Sequence, residues 1–218
     1  MKPWLTIAGI GAAIGSYGFA FGVLAATSGL GWVAVLIMST FVYAGGAQAA
    51  FVGALATGTP ATALVSGVLV NLRLGIYGTI ANRILAAESL PRRLVGVHLA
   101  SDETIALTAG AEPEAKTSTY WLSGVVFFVI WATTTLAGVL AGDAIGDPET
   151  LGLDAAFPSV FVALLLPMLN APATRLAAAT AAVITLAITP HVAAGLPILA
   201  AAGTALVATA FLGRASNR

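Results

Sequence analysis

A charged residue lies near the centre of an apolar stretch of this chain. Arg73 is placed within the run 61–85, with Asn71 two residues before it and Tyr77 four residues after it. A charged side chain at the middle of a bilayer-spanning helix costs about 2.5 to 3.5 kcal/mol, so it faces a protein interior or a wet cavity. On a helix, Arg73 and Tyr77 share a face, whereas Asn71 points to another side. We interpret Arg73 as the edge of a transport path.

Arg73 requires either a substrate carboxylate or an internal acid as its partner. Asp102 and Glu103 lie in a polar segment, and Asp154 begins a short apolar stretch. We favour an internal ion pair, because an unpaired buried charge is costly and arginine pairs readily with carboxylates. The same three acids are the candidates for ion coupling, and the sequence does not select among them.

A glycine pair, Gly45 and Gly46, interrupts the preceding apolar stretch. Each glycine costs a helix about 1 kcal/mol relative to alanine, and local unwinding would free backbone N–H groups that attract a carboxylate. Gln48 would add a side-chain hydrogen bond, although a kink filled by neighbouring helices is an alternative explanation. The predicted substrate-binding residues are Gly45, Gly46, Gln48, Asn71, Arg73 and Tyr77.

The composition identifies lipid as the solvent around these residues. Of the 218 residues, 59% are hydrophobic and 8% are charged, whereas soluble domains carry about a quarter charged residues. The net charge is zero without a long basic or acidic run, which argues against nucleic acid as a partner. Cysteine is absent, and His98 and His191 stand alone, so we predict no metal and no cofactor. The HExxH, GxSxG and paired-aspartate motifs are also missing, so we do not predict an enzyme.

Apolar stretches recur along the whole chain. A helical span needs about 20 apolar residues, so we predict an all-α integral membrane protein, a polytopic bundle of about seven transmembrane helices, some of them interrupted. Residues 1–218 would form a single transporter domain. The stretches are 7–26, 32–55, 61–85, 120–141 and 192–212, with shorter ones at 155–169 and 176–188.

Residues 86–118 are predicted to be a polar connector or a dipping segment between a first half, 1–85, and a second half, 119–218. If residues 94–111 do not cross, alternating spans place most basic residues on one side, opposite Lys2. The positive-inside rule favours that arrangement, with the N-terminus outside, whereas a crossing segment gives a weaker bias. The basic residues on that side would be Arg83, Arg92, Arg93, Lys116, Arg175, Arg214 and Arg218.

Two short repeats suggest a pseudo-repeat of two three-helix halves. Gly-Val-Leu-Ala occurs at 22–25 and 138–141, and Pro-Ala-Thr occurs at 60–62 and 172–174. An odd number of spans between the two starts would make the halves inverted, with interruptions at Gly45-Gly46 and at Pro158 in corresponding spans. One face of the first helix carries glycines, which favour close helix packing over a ligand site. These glycines are Gly11, Gly15, Gly18 and Gly22.

Several short motifs follow one another in order along most of the chain. They are Met38-Ser39, Tyr-Ala-Gly-Gly-Ala-Gln at 43–48, Asn71-Leu72-Arg73, Tyr77-Gly78, Asp102-Glu103, Gly152-Leu153-Asp154 and Phe157-Pro158. In this order they resemble the AzlC family of branched-chain amino acid exporters. The resemblance implies export across the inner (plasma) membrane with a small hydrophobic subunit of the AzlD type. Leu74 and Ser16 replace a histidine and a proline that are common in the family, so substrate choice or coupling could differ.

The leading hypothesis is a secondary exporter of leucine, isoleucine, valine and methionine that is coupled to protons. The first alternative is a transporter of another small solute. The second is a non-transporting membrane scaffold whose glycine faces hold a partner, and such a scaffold would not need Arg73 at mid-span.

Overall fold

The chain is helical throughout the part that the structure describes. The computed structural model describes residues 3–145 and 169–192, together with positions 162, 166, 196, 197, 200, 201, 203, 204 and 207. The described helices are α1 (Pro3–Thr27), α2 (Trp32–Ile37), a π-helix (Met38–Val42), α3 (Gly45–Thr57), α4 (Pro60–Asn71), α5 (Arg73–Ile84), α6 (Leu90–His98), α7 (Asp102–Ala109), α8 (Lys116–Ile145) and α9 (Pro172–Ile188). Within these residues, four segments are long and apolar enough to cross a membrane: Trp4–Thr27, Pro60–Ile84, Pro113–Gly142 and Pro172–His191.

Some predicted features lie outside the described residues. They include Asp154, the interruption at Pro158, and nearly all of the predicted spans 155–169 and 192–212. The predicted total of seven spans can therefore be compared with the structure only over the remaining residues.

Helices α1 and α8 pack closely, with glycine on both sides of the contact. A Cβ atom on Gly22 or on Gly138 would overlap backbone atoms of the facing helix. Gly11 faces Ile130 and Gly22 faces Gly138, so residue numbers rise together and the two helices run parallel. The glycine face of α1 is a packing surface, as predicted. We call the end of the bundle at which α1 and α8 begin the near end, and the opposite end the far end.

Helices α4 and α5 form one span that runs opposite to α1 and α8. The hydroxyl group of Thr117, at the start of α8, donates to the carbonyl oxygen of Ile84, at the end of α5, over 3.4 Å. Helix α5 therefore ends at the near end, and α4 begins at the far end. The start of α4 is capped by Thr59, whose hydroxyl oxygen accepts from the N–H group of Thr62 at 3.2 Å.

Helices α2 and α3 form a hairpin that enters and leaves at the far end, which we call the far hairpin. Helix α2 follows the end of α1 after a turn at Gly29, where φ is 83°. Helix α3 leads into α4 through residues 58–59. Gly67 of α4 packs against Phe51 of α3, as expected for antiparallel helices joined by a short turn. Both ends of the far hairpin therefore lie at the far end.

The predicted span 32–55 was therefore wrong. The two shorter apolar helices of the hairpin, Trp32–Val42 and Gly45–Ala56, are each about 15 to 20 Å long at 1.5 Å per residue, which is too short for a hydrocarbon core of about 30 Å. Hydropathy counts apolar residues and cannot detect a reversal of direction. The reversal occurs at Tyr43, whose φ of 44° and ψ of 50° lie in the left-handed region. The interruption predicted nearby is present.

Helices α6 and α7 form a second hairpin at the opposite end, the near hairpin. The Nε1 group of Trp121, early in α8, donates to the Glu88 carboxylate just before α6, at 3.3 Å. Further along α8, Gly124 packs against Leu99, just after α6. Helix α6 therefore starts at the near end, and the residue that follows it contacts α8 slightly further from that end. Ile105 of α7 packs against the buried cluster that contains Leu85, just after α5, and Tyr120, early in α8, so α7 returns towards the near end.

This topology changes two expectations. Because α1 and α8 are parallel, halves that start at their Gly-Val-Leu-Ala motifs are not inverted relative to each other; the pseudo-repeat itself stays a prediction. The near end carries both the start of α1 and most basic residues of the first 145 positions. The positive-inside rule now favours an N-terminus on the inner side rather than outside. These basic residues are Arg83, Arg92, Arg93 and Lys116.

Candidate functional site

The tips of the two hairpins meet midway along the bundle, around a cavity of about 380 Å³. That volume lies in the range of small-molecule sites, about 300 to 1,000 Å³. The polar part of the wall consists of Tyr43, Arg73, Tyr77, Ser101, Asp102 and Glu103. The remainder consists of Ile14, Tyr17, Leu74 and Trp131 with the backbone of residues 44–46. Both hairpins, α1, α5 and α8 therefore contribute to one site.

Arg73 is paired with an internal acid at the tip of the near hairpin. Its Nη1 atom lies 2.7 Å from Oδ2 of Asp102. The hydroxyl group of Tyr77 donates to Oδ1 of the same carboxylate at 2.5 Å. Helix α5 thus engages both oxygens of Asp102. The two charged side chains remain 38% exposed, so the pair borders the cavity, and the internal ion pair favoured from the sequence is present.

Glu103 is the second carboxyl group at this tip. It borders the same cavity, and the salt bridges among the described residues do not include it. Helix α7 lies outside the four candidate spans. Burial raises the pKa of Glu103; hydrogen bonds to its own backbone and to Ser101 oppose this rise, and the charge of Asp102 adds to it. Glu103 therefore retains a proton to higher pH than an exposed glutamate.

Gln48 lies behind the tip of the far hairpin and does not border the cavity. Its buried side chain accepts from the N–H group of Ala44 through Oε1 at 3.3 Å and donates from Nε2 to the hydroxyl oxygen of Ser39 at 3.2 Å. The first bond satisfies a backbone N–H group that the reversal at Tyr43 leaves without an intrahelical acceptor, and the second joins α3 to the π-helix. In the structure Gln48 supports the shape of the tip.

His98 connects the two hairpins. Its Nε2 atom lies 2.7 Å from the carbonyl oxygen of Thr40 in the π-helix. The ring also lies beside Tyr43 and Phe128, with centroids 6.2 and 5.9 Å away. This contact was not predicted from the sequence, because a lone histidine has no spacing partner to interpret. A direct link between α6 and the π-helix couples the positions of the hairpins.

Three helices begin at the cavity: α3 at Gly45, α5 at Arg73 and α7 at Asp102. The first N–H groups of a helix lack intrahelical acceptors, and the helix dipole makes this end positive. A Cβ atom on Gly45 would come within 2.8 Å of the Trp131 ring and 2.9 Å of the Tyr17 ring. Glycine therefore allows the start of α3 to lie directly against these aromatic rings. The N–H groups at the start of α3 border the cavity and are suited to bind an anion.

The structure brings together most, though not all, of the predicted residues. Gly45, Gly46, Arg73 and Tyr77 border the cavity, as do Asp102 and Glu103. Asn71 lies outside the wall, with its Oδ1 atom buried and without a hydrogen-bond partner, and Asp154 lies outside the described residues. Tyr43 belongs to the motif 43–48 but was not predicted as a site residue. The sequence did not indicate Tyr17 or Trp131, because aromatic residues in apolar helices resemble ordinary packing residues, and it did not indicate Ser101, because a lone serine has no spacing partner.

Interrupted helices that meet around a charged cavity between membrane spans are typical of membrane transport proteins. The family described as AzlC protein matches residues 9–145 of the chain, which include every residue of the cavity wall. The chain belongs to the AzlC family, whose members are membrane transport subunits. Neither the curated proteins nor the solved structures compared with the chain gave a match.

Proposed function

We propose that this chain is the large subunit of a secondary active exporter of branched-chain and similar small apolar amino acids, coupled to protons. The observation that carries the proposal is the mixed wall of the cavity. This wall includes the charged groups of Arg73, Asp102 and Glu103 as well as the apolar side chains of Ile14 and Leu74. Leucine, isoleucine, valine and methionine likewise combine a zwitterionic part with an apolar side chain.

The substrate carboxylate is assigned to the start of α3. Gly45 and Gly46 present backbone N–H groups there without side chains of their own, and both border the cavity. Arg73 is already bound to Asp102, so it contributes positive potential rather than a free partner.

Proton coupling supplies the energy that a zwitterion cannot obtain from the membrane potential. The zwitterion carries no net charge, whereas one charge that moves through 100 mV releases about 2.3 kcal/mol, roughly a fifty-fold gradient. Asp102 and Glu103 are carboxyl groups that border the cavity.

The proposed partner is a small hydrophobic subunit of the AzlD type, which AzlC membership supports. The chain has apolar surface for such a subunit or for lipid, since only 6% of the most apolar part of the Pro172–His191 span is buried. The proposed location is the inner (plasma) membrane.

Efflux of amino acids from dipeptide-loaded cells tests this proposal. Cells that lack their own exporters would express the chain with and without the small subunit. We expect efflux of leucine, isoleucine, valine and methionine that falls more than tenfold in Arg73→Ala, while Arg83→Ala, an exposed arginine at the end of α5, keeps it. If the protein is in the membrane and these amino acids are not exported, the exporter proposal is wrong.

A different small solute is the second candidate. Leu74 borders the cavity where the resemblance to the AzlC family predicted a histidine, so this wall is more apolar than expected and would favour a different solute. The same cells, loaded with other dipeptides, would reveal the preferred solute. A non-transporting scaffold would show no efflux of any solute and no effect of Arg73→Ala.

A further inference from the structure

We propose that Glu103 is the shared binding site of the coupling proton and of the substrate's ammonium group, and that Asp102 has a structural role. This inference rests on the proposed function and deepens it, because it names the residue at which proton and substrate exchange. The sequence alone left three acids as equal candidates.

Asp102 is unavailable for this exchange because its partners occupy it. Arg73 binds one carboxylate oxygen at 2.7 Å, and the Tyr77 hydroxyl group donates to the other at 2.5 Å. An ammonium group at Asp102 would compete with Arg73 for a carboxylate whose charge Arg73 already balances. The ion pair also joins α5 to the near hairpin, so a proton on Asp102 would weaken the wall of the site itself.

Among the described residues, no arginine or lysine forms a salt bridge with Glu103. The titratable and charged groups around it are Tyr17 of α1, Tyr43 of the far hairpin, Tyr77 and Arg73 of α5, and the neighbouring Asp102. Arg73 is the one cation in this set, and it is bound to Asp102. A carboxylate on this wall of the cavity requires a positive partner, either a proton or the ammonium group of an amino acid.

The exchange conserves atoms and charge. On the inner side, a zwitterionic amino acid approaches protonated Glu103, the O–H bond breaks, and the proton passes to water. The carboxylate then forms an ion pair with the ammonium group. After the amino acid leaves on the outer side, Glu103 takes a proton from that side. Because one carboxyl group holds only one of the two cations at a time, one proton moves inward for each amino acid exported.

Binding of leucine to the purified complex with its small subunit tests this exchange. In weakly buffered detergent solution below the pKa of Glu103, wild-type protein should release close to one proton per bound leucine. In that range, its apparent Kd for leucine should rise about tenfold for each unit by which the pH is lowered. Glu103→Gln should release no proton. Glu114→Gln, an exposed glutamate in the connection before α8, should behave as wild type.

A second readout identifies the group that recognises the ammonium ion. Wild-type protein should prefer leucine over 4-methylpentanoate, which lacks the amine. Glu103→Gln should lose at least tenfold of that preference, whereas a residue needed only for folding would weaken both ligands equally. Glu103→Asp keeps the carboxyl group, so it should retain proton release and the preference even if the glutamine variant does not fold.

The possible outcomes separate this inference from the proposed function. Leucine binding with undiminished proton release in folded Glu103→Gln would overturn the role of Glu103 and leave the exporter proposal intact. Loss of proton release in folded Glu103→Asp would also overturn it. If wild-type complex neither binds nor exports any of the four amino acids, both the exporter proposal and the role of Glu103 fail.

Discussion

Arg73 shows how much of a functional site one charged residue in an apolar helix can predict. Its cost in an apolar helix was sufficient to predict a partner and a cavity. The sequence could not identify that partner, because Asp102 is 29 positions away and only the return of the chain through the near hairpin brings the two within 2.7 Å. Asn71 was selected by its neighbourhood in sequence, yet it is not part of the cavity wall, and its two-residue offset from Arg73 already indicated a different face of the helix.

Tyr77→Phe removes the hydroxyl group that donates to Asp102 at 2.5 Å. A hydrogen bond to a charged group contributes about 1.5 to 3 kcal/mol, and the lower value applies because Asp102 is 38% exposed. We expect unfolding in detergent at lower temperature and leucine efflux reduced about tenfold. Thr79→Ala, an exposed hydroxyl on the same helix, is the control. Equal efflux from Tyr77→Phe and wild type would show that this bond is dispensable.

At the scale of elements, the far hairpin shows that hydropathy cannot distinguish a hairpin of two short helices from one membrane span. Its residues are as apolar as those of a span, and the helix breakers Gly45 and Gly46 correctly indicated an interruption. The actual reversal lies just before them, at Tyr43, where a non-glycine residue adopts φ 44°. The buried amide of Gln48, bonded to Ala44 and Ser39, accompanies that conformation. No sequence rule predicts a left-handed tyrosine.

Gln48→Ala should destabilise the far hairpin. The substitution leaves the N–H group of Ala44 and the hydroxyl group of Ser39 without these partners, and an unsatisfied buried polar group costs about 1 to 3 kcal/mol. Ser39→Ala removes only one of the two bonds, so its effect should be smaller. Thermal unfolding of both variants in detergent measures the difference. A stability of Gln48→Ala equal to that of wild type would contradict the supporting role assigned to this amide.

The interface of α1 with α8 offers a sharp test of packing. Gly22→Ala places a methyl group against the carbonyl oxygen of Thr135, a backbone atom that cannot rotate away. Overpacking of this kind costs about 1 to 3 kcal/mol. Gly9→Ala lies on the same helix with nothing within 4 Å and should be neutral. Size-exclusion chromatography and thermal unfolding would compare the two, and equal behaviour would refute the close contact.

For the whole molecule, the sequence predicted an all-helical membrane protein with interrupted helices and located most of the cavity. The predicted topology was wrong. Counting 32–55 as a membrane crossing placed the elements before it on the wrong side of the membrane. Contacts such as Thr117 with Ile84 define the ends of the bundle, and these contacts join residues far apart in the chain. Their positions depend on tertiary packing, which periodicity and hydropathy do not encode.

Cysteine labelling tests the topology directly, because the chain contains no cysteine. Gly31→Cys and Gly58→Cys flank the far hairpin, and Ala87→Cys precedes the near hairpin; all three positions are exposed. A membrane-impermeant thiol reagent should label the first two from outside the cell and the third only after the inner side is opened. If 32–55 crossed the membrane, Gly31→Cys would instead be labelled together with Ala87→Cys, and Gly58→Cys would be labelled from the opposite side.

The contact between Gly45 and Trp131 has a consequence for biogenesis. The ribosome synthesises the far hairpin well before α8, yet the tip of that hairpin packs against an aromatic ring of α8. The nascent chain must therefore hold the far hairpin without its final packing surface until α8 is inserted. Premature termination before α8 would leave that hairpin without its support, a target for membrane quality-control proteases.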